Sequence, residues 1–107
     1  MSTRKGSARN LSDEQAASHS PLWWLYLLGC QDGRTYAGIA LDVEARFNVH
    51  LSGKGARFTR SNPPVKVLAA QSFATKSEAL KAEIALKKLD RVARLQWARR
   101  WTREDEK

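Results

Sequence analysis

The chain has 107 residues, 42% hydrophobic and 28% charged, which fits one small domain and excludes a large multi-part assembly, a collagen-like repeat or a wholly disordered polymer. Nineteen Lys and Arg against eleven Asp and Glu leave a net charge of +8, so the expected partner class is a polyanion, either nucleic acid or an anionic membrane. The longest apolar stretch, 22–28, is too short to span a bilayer, no secretory leader is expected, and the single cysteine, Cys30, excludes an internal disulfide or a zinc site of its own and fits a cytoplasmic location.

Residues 1–21, rich in Ser, Ala, Arg and Gln without an apolar period, read as a disordered tail. The dense run Trp23 to Cys30 predicts a buried strand. Gln31-Asp32-Gly33 is a hairpin turn signal, and a second strand follows over 34–40. Asp42 is an N-cap for a helix over 43–52 that Gly53 and Gly55 end. Pro63-Pro64 closes a Gly- and Ser-bearing basic loop, and Val65 to Phe73 reads as a third strand. Thr75 or Ser77 caps a helix over 76–88, and Asp90 caps another over 91–103, where Trp97 and Trp101 share one face. Those tryptophans are expected to pack on the core, with a docking surface as the other reading. Residues 22–107 thus form one domain of the α/β class (α+β type) in the order β-β-α-β-α-α, with no internal repeat.

The charge is uneven. Residues 54–75 carry Lys54, Arg57, Arg60 and Lys66 and no acid. A basic loop without counter-charges is suited to nucleic-acid phosphates, and the plainer reading is a solvated loop. On the helix from Val43, Arg46 and His50 lie one turn apart, where both can reach one phosphate or simply face solvent. On the next helix Ala79, Leu80, Ala82, Ile84 and Leu86 outline an apolar arc with Glu83 near its middle. A carboxylate facing a core needs a metal, a proton or an ion-pair partner such as Lys87. Tyr26 and Tyr36 lie one in each hairpin strand. A two-residue turn at Asp32-Gly33 places them on opposite faces. A three-residue turn with Gly33 left-handed places them on one face.

Leu25-Tyr26, Tyr36-Ala37-Gly38, the segment Asp42 to His50 and Glu83 resemble the GIY-YIG nuclease superfamily over residues 22–90. The stretch 50–56 and the segment 79–83 resemble its small single-domain bacterial members, related to the catalytic subunit of the eukaryotic structure-specific endonuclease. Trp24 stands where the first motif has its glycine, Ala37 replaces the isoleucine of the second, and no asparagine matching that of some members follows Glu83. The resemblance implies a three-stranded antiparallel sheet packed with helices. It implies a metal-dependent endonuclease acting on DNA, branched or otherwise structured, in repair or recombination, with RNA as the other substrate. A protein partner or homodimer would supply specificity, and no membrane is involved. Tyr26, Tyr36, Arg46, His50 and Glu83 would be catalytic. Glu83 would hold one Mg2+ or Mn2+, Arg46 would clamp a phosphate oxygen, Tyr26 would take the proton of water with Tyr36 bonding the phosphate or the water, and His50 would orient Tyr26 or share its proton. The alternative is a non-catalytic nucleic-acid-binding module on the same fold.

Overall fold

A computed structural model describes residues 21–102. Apart from Pro21, the tail expected over 1–21 lies outside the described residues, as do 103–107. The elements in chain order are β1 (Trp23–Cys30), β2 (Thr35–Ala40), α1 (Val43–Leu51), α2 (Arg57–Ser61), β3 (Pro64–Phe73), α3 (Lys76–Lys87) and α4 (Arg91–Arg100). The strands form one antiparallel sheet in the order β2-β1-β3.

β1 is central because both of its faces are apolar, and Leu25, Tyr26, Leu27 and Leu28 are all buried. Such a run, without polar alternation, requires cover on both sides. One face carries Leu25, Leu27, Ala37 and Ala69 against Leu86 of α3 and Ala98 of α4, with Trp97 and Trp101 packed at the side. The other carries Tyr26, Leu28, Ala40 and Ala70 against Val43 and Phe47 of α1. Each fully buried leucine contributes about 1.5–3 kcal/mol. The pairing of β1 with β3 slips between Leu27 and Leu28, so that Ala69 and Val67 are successive partners and Leu68 is the extra residue. Beyond α4 the chain returns to β3, where Trp101 accepts a backbone bond from Ala70 and Thr102 bridges Ala69.

The helices begin where their caps are. Asp42 accepts from the Ala45 N–H, Thr75 forms a capping box with Glu78, and Asp90 accepts from the Ala93 N–H. α1 ends in a Schellman closure: the N–H groups of Gly53 and Lys54 bond the carbonyls of His50 and Val49. α2 corrects the expectation of an open basic loop. It has no side-chain N-cap and no acid in its first turn, so it depends on the tertiary contacts of Phe58, Thr59 and Asn62. The arc expected on α3 is also narrower, because Leu80 and Ile84 are exposed while Ala79 and Leu86 are buried. Glu83 therefore stands at the rim of the buried arc.

The turn between β1 and β2 has three residues. Tyr26 pairs with Gly38 and Leu28 with Tyr36, Cys30 and Arg34 close the hairpin, and Gly33 has φ +89°. Both tyrosines consequently share the α1 face. A Cβ at Gly33 would meet only the Arg91 guanidinium at 3.8 Å, so Gly33→Ala isolates the backbone cost. It should lower stability by about 1–2 kcal/mol, read as a lower denaturant midpoint at unchanged m-value.

Candidate active site

Tyr26 spans β2 because its neighbour has no side chain. A Cβ on Gly38 would come within 2.6 Å of the Tyr26 ring carbon that bears the hydroxyl. The hydroxyl reaches His50, whose Nε2 lies 3.1 Å away. On the far side of the imidazole, Nδ1 is 2.7 Å from the Thr59 hydroxyl of α2. That hydroxyl donates to the Ala56 carbonyl at 2.9 Å. Its one proton is thereby committed, so it accepts from Nδ1–H. Nε2 is then the bare nitrogen and accepts the Tyr26 proton. The result is a directed chain from phenol to imidazole to hydroxyl to carbonyl. Gly55 supplies the room, since a Cβ there would overlap the His50 ring.

His50 is 1% exposed. It stands behind Tyr26 with both ring nitrogens engaged, whereas the helical spacing alone suggested that it shares a phosphate with Arg46. Burial, and then the nearby Arg46 charge, push its pKa below 6.5, so it is neutral at physiological pH. Burial pushes the Tyr26 phenol above its usual 10.0. The nearby Arg46 guanidinium opposes this, while the charges of Tyr36 and Glu83 add to the rise. The tyrosine hydroxyl is thus where Arg46 of α1 and Glu83 of α3 are felt together.

Tyr36 lies beside this chain. Its ring meets that of His50 edge-on at 5.2 Å and stacks on Phe58 of α2 at 6.0 Å. Lys87 Nζ stands 5.7 Å from its centroid and pairs with Glu83 Oε2 at 3.3 Å. The ion-pair partner considered for Glu83 is therefore present, and the pair lies at the tyrosines. α3 packs on the opposite face of the sheet from α1. Its Glu83 and Lys87 reach the tyrosines past β2, an edge strand.

Among the described residues no group of three His, Cys, Asp or Glu could enclose a metal. Glu83 offers a hard oxygen donor beside the tyrosines, and its pairing with Lys87 engages only Oε2. That donor set fits a cation of the Mg2+ type, which keeps several waters and takes one or two protein carboxylates.

Of the basic residues singled out in the loop, Lys54 follows α1 and Arg57 and Arg60 sit exposed on α2, the helix that carries Thr59. Lys66 is not with them. It lines a cleft on the α4 face with Leu68, Leu95 and Arg99. Thr59 is the residue that sequence reasoning missed. Asn62 belongs beside it: its side chain bonds the Asp32 carboxylate at 2.7 Å and accepts from the Asp32 N–H at 3.3 Å, tying α2 to the hairpin turn.

A family model described as the GIY-YIG catalytic domain matches residues 22–96. Among similar proteins, a UPF0213 protein of Xanthomonas axonopodis pv. citri is 52% identical over 75 residues, covering 70% of this chain and 74% of that one. Another, from Cupriavidus necator, is 58% identical over 67 residues, covering 63% and 73%. The solution NMR structure of a protein from E. faecalis, 39% identical, covers 74% of this chain and 84% of its own, with a TM-score of 0.52. No described helix is long and apolar enough to cross a membrane.

A histidine whose pKa is lowered on folding binds its proton more readily when unfolded. Its contribution to stability is therefore complete above pH 6.5 and is lost as pH falls through the depressed folded value. Melting temperature should be level above that pH and decline below it. His50→Gln should flatten the part of this decline that His50 causes.

Proposed function

Because this chain belongs to the GIY-YIG family, we propose that it is a metal-dependent endonuclease that hydrolyses phosphodiester bonds of branched or otherwise structured DNA in the cytoplasm, in repair or recombination. The family match implies a nuclease-type activity on nucleic acid. The observation that carries the finer reading is the hydrogen-bonded chain Tyr26–His50–Thr59, with Arg46 acting on its outer end.

In this reading a water attacks the phosphorus and the bond to the leaving 3′ oxygen breaks. The water's proton passes to the Tyr26 oxygen as the phenol's own proton moves to His50 Nε2, and the leaving oxygen takes a proton from solvent. A neutral phenol above its usual pKa is a poor base by itself. The bare Nε2 supplies the sink that makes it one. Arg46 offers a planar, permanently charged donor for a non-bridging phosphate oxygen. Tyr36 orients the phosphate or the water. Glu83 would hold one Mg2+ or Mn2+, which supplies Lewis-acid relief of charge on the phosphate and its leaving oxygen. Lys54, Arg57 and Arg60 add sequence-independent affinity from the α2 side; Lys66, on the α4 face, is left outside this role. A protein partner or a second copy would supply structural specificity. One observation favours a binding module without catalysis instead, namely that Lys87 already pairs with Glu83, the carboxylate that acts on Tyr26.

The deciding experiment incubates labelled duplex, flap, fork and single-stranded DNAs, and an RNA, with Mg2+, Mn2+ or EDTA. Cleavage should require the metal and should fall about 10²–10³-fold in Arg46→Ala. Glu83→Gln should abolish it with binding retained. Tyr26→Phe should cost more than Tyr36→Phe. Tight binding without cutting under any metal would put the binding module in first place.

Thr59→Val separates the relay from mere packing. It leaves Nδ1–H buried without an acceptor, at a cost of about 1–3 kcal/mol in stability, and removes the selection of tautomer. Turnover should fall about tenfold, and the acid limb of kcat/KM, placed below pH 6.5 by the neutral His50 requirement, should shift. Thr59→Ser, which keeps the hydroxyl, should restore both.

A further inference from the structure

Beyond the tyrosines, past Phe58, three arginines gather at the hairpin turn. Arg34 follows the turn directly, and Arg91 and Arg94 come from the first turns of α4. With Thr35 and Phe58 they line a cleft of about 290 Å3. Each guanidinium is anchored. Arg91 Nε donates to the Gly33 carbonyl at 3.4 Å. Arg94 donates to the Thr35 hydroxyl at 3.3 Å and to the Lys87 carbonyl at 3.0 Å. Arg34 Nε meets Asp32 at 2.7 Å.

These anchors hold the side chains in place, and among the described residues no ion pair answers the charge of Arg91 or Arg94. A carbonyl or hydroxyl acceptor uses one of a guanidinium's five donors and cancels none of its charge. Asp32 is the carboxylate seen to pair here, with Arg34. It is itself held by the Arg34 N–H and the Asn62 amide. Asp90, next to Arg91, is committed to capping α4. In addition, Arg94 Nε is buried with no hydrogen-bond partner among the described residues.

The floor of the cleft connects it to the candidate active site. Phe58 carries the Arg34 guanidinium over its ring at 4.9 Å and stacks on Tyr36, which in turn meets His50. We propose that this arginine cleft receives a phosphate of the same nucleic-acid strand that enters the candidate active site, to one side of the bond to be cut. The proposal rests on the nuclease reading for its ligand. Preset guanidiniums around a cationic gap suit the tetrahedral oxygens of a phosphodiester, which a planar fork can meet with two parallel bonds. Such a contact positions a strand without reading its sequence.

The test is fluorescence anisotropy of end-labelled flap and single-stranded DNA in EDTA, across a NaCl series. Arg34→Gln combined with Arg91→Gln should weaken binding about tenfold at low salt. It should also reduce the slope of log K against log salt by about 1. Arg91→Lys should keep the slope, and Lys66→Gln, on the other cleft, should leave it unchanged. Arg91→Gln alone carries the same test if the double variant fails to fold, since Arg91 is anchored through the Gly33 carbonyl. A wild-type slope in the glutamine variants overturns the cleft and leaves the nuclease reading standing. A reduced slope in a protein that cuts nothing with Mg2+ or Mn2+ supports the cleft and overturns hydrolysis. Absence of binding by the wild type removes both.

Discussion

A buried imidazole with both nitrogens committed is the constraint around which this small protein is arranged. Leaving either nitrogen without a partner would cost about 1–3 kcal/mol, a large share of what a domain this size has available. One nitrogen is met by a tyrosine from the centre of the sheet. The other is met by a threonine on a five-residue helix that has no side-chain cap of its own. That helix is in turn fastened by Phe58 against Tyr36 and by Asn62 to the hairpin turn. Two glycines, Gly38 and Gly55, are needed for the ring and the phenol to occupy these places. A change at any of these positions therefore acts on stability and on the site together.

The second organising feature is where the two sides of the sheet come into contact. Tyr26, Tyr36, Arg46 and His50 belong to the α1 side, while Glu83 and Lys87 come from α3 on the other. They meet because β2 is an edge strand and Gly38 opens it to the Tyr26 hydroxyl. The position of Glu83 at the rim of the α3 arc, not at its centre, is what carries it to this strand.

Most of the scaffold was legible in the residues. The strands are apolar runs bounded by turn signals, and α1, α3 and α4 each begin at a side-chain cap. α2 was not legible, since Arg57 to Ser61 have neither a cap nor an apolar period and are helical only through what Phe58, Thr59 and Asn62 touch. The hairpin left two registers open because Asp32-Gly33 serves a turn of either length; the pairing of Tyr26 with Gly38 decides between them. Helical spacing put Arg46 and His50 on one turn but could not tell that one is exposed and the other sealed beneath Tyr26. The arginine cleft was hidden for a related reason. Its bases are interleaved in sequence with Asp32 and Asp90, acids that are spent on local bonds.

The long side chains that pass β2 also bear on how this protein behaves in a crowded solution. β2 is a six-residue strand with one side unpaired by the sheet, and such a strand can recruit a strand from a neighbouring molecule. Arg94 at the Thr35 hydroxyl and Arg91 at the Gly33 carbonyl place fixed positive charge beside it. A second copy approaching strand to strand would bring like charges together and strip water from them. The groups that make this border attractive to a polyanion thus guard it against self-association, so neutralising them for the sake of tighter packing would trade solubility for stability.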